Sequence, residues 1–192
     1  MAKKYEFKPD KPQSTWLSKL YLTKKQRSAI LKWFLYALLL LVLSVVQDVI
    51  LCRFRFFGAT TELVPCAIFL ICIMEGTERG SVFALIASLF YLFSGTAAGT
   101  YSMVFITALA VFLCIFRQAY LQKGFSAAML CTTVGMFLYE GAIFAFGLFL
   151  GLTTPSRITG FCITAALSLV AAPILYPITL SIGSIGGETW KE

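Results

Sequence analysis

Between Gly80 and Arg117 the sequence carries 36 residues without one charged side chain. As a single helix they would run about 54 Å, far past a hydrocarbon core of about 30 Å. Two helices joined by a tight turn fit instead, and Ser94-Gly95-Thr96-Ala97-Ala98-Gly99 supplies that turn. The stretch is entered through a charged elbow, Glu75-Gly76-Thr77-Glu78-Arg79-Gly80. Charges at Glu75, Glu78 and Arg79 are costly in lipid, so the elbow belongs at a water-facing surface or in a protein cavity. Its two glycines, four apart, allow a tight turn and close backbone packing.

Composition agrees with this reading. The chain is 59% apolar and 13% charged, against about a quarter charged in soluble domains. An integral membrane protein is expected. Histidine is absent, which removes the commonest general base and metal ligand. The six cysteines at 52, 66, 72, 114, 131 and 162 form no CxxC pair, and are read as small hydrophobes rather than ligands. The formal charge of +7 is concentrated: nine of the sixteen Lys and Arg lie in the first 32 residues. Beside a membrane span, that clustering favours anionic lipid or a cytoplasmic partner over nucleic acid.

Residues 1–29 form a basic tail, opening with a polar segment that contains Pro9 and Pro12. Within it Trp16, Leu17, Leu20 and Tyr21 share one helical face, with Lys19, Lys24, Lys25 and Arg27 on the polar side. The segment is either an interfacial amphipathic helix on anionic lipid or a solvated topology signal. Residues 30–183 hold the membrane domain, and 184–192 a second short tail. Ile30–Leu51 is the first span, interrupted by Lys32, with Gln47 and Asp48 near its far end. Asp48 is expected to reach the interface and Arg53. Leu63–Met74 gives only about 18 Å of helix, short of a crossing unless Ala59–Glu62 is added. Ser81–Ser94 and Tyr101–Phe116 follow, as two complete spans or as a re-entrant pair. Ser126–Gly151 and Ile158–Ile182 complete the set, and Pro173 and Pro177 are expected to bend the last. Six spans place both termini on one side. With the amino terminus inside, thirteen Lys and Arg lie inside and three outside, which satisfies the positive-inside rule.

Glu140, near the middle of the fifth span, is the strongest single residue, because a mid-bilayer carboxyl must be protonated, paired or wetted. It is read as a contact within the bundle, a contact to a partner helix, or a ligand or proton site. A second mid-membrane ionisable residue to complete a relay is not evident. Gly141 beside it leaves room for another helix. Small residues four apart recur at Ala84/Ser88, Gly141/Ala145, Gly147/Gly151 and Thr164/Ser168/Ala172, and permit close crossings. No phosphate loop, nucleophile–base pair or ligand cluster accompanies them, so no enzyme activity, cofactor or metal is expected.

From about Trp33 to Tyr176 the chain resembles the MreD family, the membrane component of the bacterial rod-shape system, especially its clostridial members. Its best-matching part begins with Gln47 and runs through Phe57-Gly58-Ala59-Thr60 and Leu63-Val64-Pro65, similar to the family's "FGA-x-P-x-LL" segment. Met74-Glu75-Gly76, four residues before Gly80, resembles its "EG-x-x-x-G" elbow. Gly99 falls where the family has the glycine opening helix four, and Glu140 where related chains often place an acid. The chain departs from the pattern at Thr61, where proline is common, at Ala84 and Ala87, near glycines, and at Leu92, near an aspartate.

The resemblance implies a non-catalytic partner of MreC in the bacterial cytoplasmic membrane, and through it of the MreB filament, RodA and a class B penicillin-binding transpeptidase. It also implies a six-helix bundle similar to the substrate-binding subunits of energy-coupling-factor transporters. A vitamin-capturing subunit is therefore the alternative. Those subunits tend to carry Ala-x-x-x-Ala in helix one, whereas Ala37 is the only alanine in Tyr36–Leu51. A proton-coupled channel built on Glu140 is a third reading. The candidate partner and structural residues are Gln47, Pro65, Glu75, Gly76, Arg79, Gly80, Gly95, Gly99, Glu140 and Gly141.

Overall fold

Each long apolar run becomes one α-helix, and the breaks fall at glycine, proline or charge. The computed structural model describes residues 24–53, 59–95 and 97–185. The expected interfacial helix around Trp16–Tyr21, the Phe57-Gly58 pair and the carboxyl-terminal tail from Gly186 lie outside the described residues. The helices are α1 (Lys24–Val49), α2 (Leu63–Glu75), α3 (Thr77–Phe93), α4 (Thr100–Tyr120), α5 (Phe125–Phe149) and α6 (Ile158–Ser184). α1 starts at Lys24 rather than Ile30, because Lys, Gln and Arg are good helix formers and extend the apolar helix backwards. α1, α4, α5 and α6 are long and apolar enough to cross a membrane. α2 and α3, with 13 and 17 residues, are shorter.

α2 is the axis of the bundle. Leu63 through Ile73 are all buried, and Cys66 through Ile73 expose nothing. It packs against each of the other five helices. A helix apolar on every side belongs in such a place, and at about 20 Å it can be short because its ends meet protein.

Its amino end is closed by α1. Gln47, 3% exposed, accepts hydrogen bonds through Oε1 from the backbone N–H of Leu63 (2.8 Å) and Val64 (3.1 Å). Pro65 follows at the third helical position, where it has no N–H to leave unpaired. The Glu62 N–H donates to Ser168 Oγ of α6 at 2.8 Å. The orphan donors of a buried helix terminus are thus accounted for one by one.

The other end turns at Gly76, whose φ of 89° lies in the region that favours glycine. A Cβ there would also stand 3.2 Å from Gln118 Nε2. One turn on, a Cβ on Gly80 would come within 2.9 Å of the Cys72 carbonyl oxygen. α2 and α3 therefore fold back on each other with backbone nearly touching backbone. Cys72 Sγ donates to the Gly80 carbonyl and Cys114 Sγ to the Cys72 carbonyl, both at 3.1 Å. Four cysteines (66, 72, 114 and 131) are buried and all six are free, so two of these small core residues also act as weak donors.

At the far turn, Gly95 has φ 79° with open space around it, and Gly99 precedes α4. The Gly99 carbonyl accepts from the Ser102 N–H (3.1 Å) and Oγ (2.7 Å). Ser88 of α3 and Thr107 of α4 share a 3.0 Å hydroxyl contact. α6 runs unbroken through Pro173 and Pro177; packing in a bundle tolerates the two missing donors.

Candidate functional site

The elbow divides its charges. The Glu75 side chain turns inward and is 3% exposed; its Oε2 lies 2.6 Å from Lys32 Nζ of α1, itself 5% exposed. Tyr36, one helical turn further along α1, donates its hydroxyl to Glu75 Oε1 at 2.8 Å and to the Thr179 carbonyl at 3.3 Å. Thr179 Oγ1 reaches Met74 Sδ at 3.2 Å. α1, α2 and α6 are thereby tied at one point, with Gly183 leaving space for Tyr36. Glu75 occupies a protein-lined, paired position, while Glu78 and Arg79 are exposed. Lys32, an interruption of span one in the sequence, is its partner.

Beside this corner lies an open cleft of about 520 Å³, lined by Glu75 to Arg79 together with Ile115 and Gln118. Thr77 Oγ1 donates to Gln118 Oε1 at 2.6 Å across its floor. Arg117, expected in a connecting loop, belongs to the last turn of α4 and is 5% exposed.

A second polar cluster occupies the opposite end of α2. Glu140 on α5 is 3% exposed, and its Oε1 has no hydrogen-bond partner. Glu62, the residue before α2, interacts electrostatically with Glu140. Tyr91 of α3 donates to Glu62 Oε2 at 3.3 Å. Tyr139, fully buried against Phe69, interacts through its hydroxyl with Glu62 and Ser102. The second acid drawn in toward Glu140, which the sequence alone did not single out, is therefore Glu62. Its signal was the shortness of the apolar run behind it: a 13-residue helix begins inside the bundle, and carries the preceding acid in with it.

Other expected sites fall differently. Gly141 faces outward, and among the described residues nothing lies within 4 Å of a Cβ placed there. With Ala145 it forms an outward-facing small pair, while Ala84, Ser88, Thr164, Ser168 and Ala172 are buried in internal crossings. Asp48 does not pair with Arg53; it is half-buried, and its Oδ1 has no hydrogen-bond partner. Between α1 and α3 an apolar groove of about 490 Å³ is lined by Phe34, Leu38, Leu41, Ile86 and Phe90, with Tyr91 at one end.

These features define an all-α membrane protein with a locked charged corner and a buried acid pair. Compared with family models, curated proteins and solved structures, the chain matches none.

Proposed function

We propose that this chain is a non-catalytic scaffold of the bacterial cell-elongation complex, crossing the cytoplasmic membrane six times with both termini in the cytoplasm. In this reading it binds MreC and, through it, serves the MreB filament, RodA and a class B penicillin-binding transpeptidase in peptidoglycan synthesis and cell-shape control. The observation that carries the proposal is the built character of the elbow. Gly76 fixes the turn, Gly80 fixes the hairpin, and the Lys32–Glu75 pair fixes the corner against α1. What remains outside is a rigid surface, Glu78 and Arg79 beside the 520 Å³ cleft, and a preorganised surface binds at lower ordering cost than a loose loop. The motif resembling the MreD family coincides with this corner. The α1–α3 groove and the outward Gly141/Ala145 pair supply apolar faces for a partner's helix within the membrane. The basic amino-terminal tail is assigned to anionic lipid on the same side as the elbow.

Co-purification from native membranes, with companions identified by mass spectrometry, tests the reading. MreC is the expected companion, and its loss is expected when Glu78 and Arg79 are both replaced by alanine. Recovery of transporter energising subunits instead would overturn it. The buried cluster of Glu62, Tyr91, Tyr139 and Glu140 favours one second reading, the vitamin-binding transporter subunit. Thermal stabilisation of the purified protein by a vitamin would select that alternative.

A further inference from the structure

The seam between α1 and α3 is the loosest around α2: α1 touches α3 less than it touches α2 or α6, and α3 packs chiefly on α2 and α4. The apolar groove of about 490 Å³ lies in this seam. Its walls are exposed side chains, Phe34, Leu38 and Leu41 on α1 and Ile86 and Phe90 on α3. Phe34 and Ser44, the limits of the lining on α1, are about 15 Å apart along the helix. That is half of a hydrocarbon core of about 30 Å, the depth of one leaflet. A single acyl chain fills such a depth, whereas a partner's helix would use it for only half of its crossing.

Both helices leave the α2–α3 corner in the same direction, since Lys32 meets Glu75 at one end of α2, while Gln47 and Tyr91 meet its other end. Ring contacts set their register near the corner: Trp33 meets Phe83 with centroids 5.5 Å apart, and Tyr36 meets Phe83 at 5.9 Å. Arg27 precedes Trp33 and Arg79 precedes Phe83, by about 9 and 6 Å along their helices. The two arginines therefore stand at similar depth, past the rings, at the corner end of the seam. Helical spacing puts each on the groove side of its helix. Arg27, Phe34 and Leu38 form one stripe of α1, and Arg79, Phe83, Ile86 and Phe90 one stripe of α3. Both arginines are exposed.

We infer that the α1–α3 groove binds one anionic phospholipid of the leaflet on the corner side, with an acyl chain against its apolar walls and the headgroup phosphate at Arg27 and Arg79. The walls alone give no choice among lipids, because every lipid brings the same tails. The arginines give the choice, since guanidinium groups pair with phosphate oxygens and basic side chains at the surface favour a net negative headgroup. A partner's helix entering the groove would displace this lipid, so the inference goes beyond the scaffold reading and does not rest on it.

The test uses the full-length protein alone, delipidated in detergent and weighed by native mass spectrometry after addition of phosphatidylglycerol or phosphatidylcholine with identical acyl chains. One phosphatidylglycerol is expected to stay bound, preferred about 30-fold over phosphatidylcholine, from two basic side chains at about fivefold each. Arg27→Gln and Arg79→Gln are each expected to lower that preference about fivefold and to leave phosphatidylcholine binding unchanged. Lys123→Gln, which removes an exposed cation from the connection after α4, is expected to leave the preference intact. Ala37→Trp fills the groove from an exposed position and is expected to reduce binding of both lipids; if it does not fold, the surface arginine variants carry the comparison. The inference is overturned if lipid binds as a graded series without headgroup preference, if Lys123→Gln weakens the preference as much as the arginine variants do, or if folded Ala37→Trp protein retains as much lipid as the parent. No partner is present in the assay, so its outcome is separate from that of co-purification.

Discussion

Replacing Gln47 by methionine removes the side-chain amide, its oxygen and NH2 together, while conserving most of the volume, so the packing change is small. The N–H groups of Leu63 and Val64, at 2.8 and 3.1 Å from the Gln47 oxygen, are left inside the bundle, and the Gln47 contact with Tyr91 is lost with them. Pro65 offers no donor to rearrange, and the buried end of α2 has no lipid or water face from which to recruit a substitute. An orphaned buried donor costs about 1–3 kcal/mol, which sets the two together at roughly 2–6 kcal/mol. Interhelical hydrogen bonds in membranes average nearer 0.6 kcal/mol, because the unfolded chain also finds partners there. Combining the two bounds, Gln47→Met is expected to destabilise the protein by about 2–3 kcal/mol. Reversible unfolding in mixed detergent micelles measures the change, and amide hydrogen exchange locates it at Leu63 and Val64. A variant within about 0.5 kcal/mol of the parent, with both amides still protected, would refute the claim that α1 caps α2.

The buried Lys32–Glu75 pair gives a sharper contrast between single and double changes. Lys32→Met strands a carboxylate that is 3% exposed, and is expected to cost about 3–5 kcal/mol, whereas Lys32→Met with Glu75→Leu recovers most of it. A double-mutant cycle in the same unfolding assay checks this, and equal destabilisation of the single and double variants would contradict it. Gly80→Ala sets a methyl 2.9 Å from a backbone oxygen that cannot rotate away. The expected loss is about 1–3 kcal/mol, against about 1 kcal/mol or less for Gly95→Ala, where only the positive φ is at issue.

The membrane character, the positions of the helical runs and the two glycine-marked turns were all legible along the chain. These follow from local properties: apolar length sets where helices form, and glycine marks where the backbone bends back or approaches closely. The sequence also singled out Gln47, Pro65 and Glu75 by type and place, without their tasks. That α2 is enclosed on all sides emerges only from the packed bundle, because a run of 12 or 13 apolar residues reads the same whether lipid or protein surrounds it. Enclosure then decided the rest. It turned Gln47 into a helix cap, drew Lys32 from the edge of span one onto Glu75, and carried Glu62 inward, into electrostatic contact with Glu140. Partners separated by 16, 43 and 78 positions in the chain leave no periodic trace along it, since their pairing depends on which helices become neighbours.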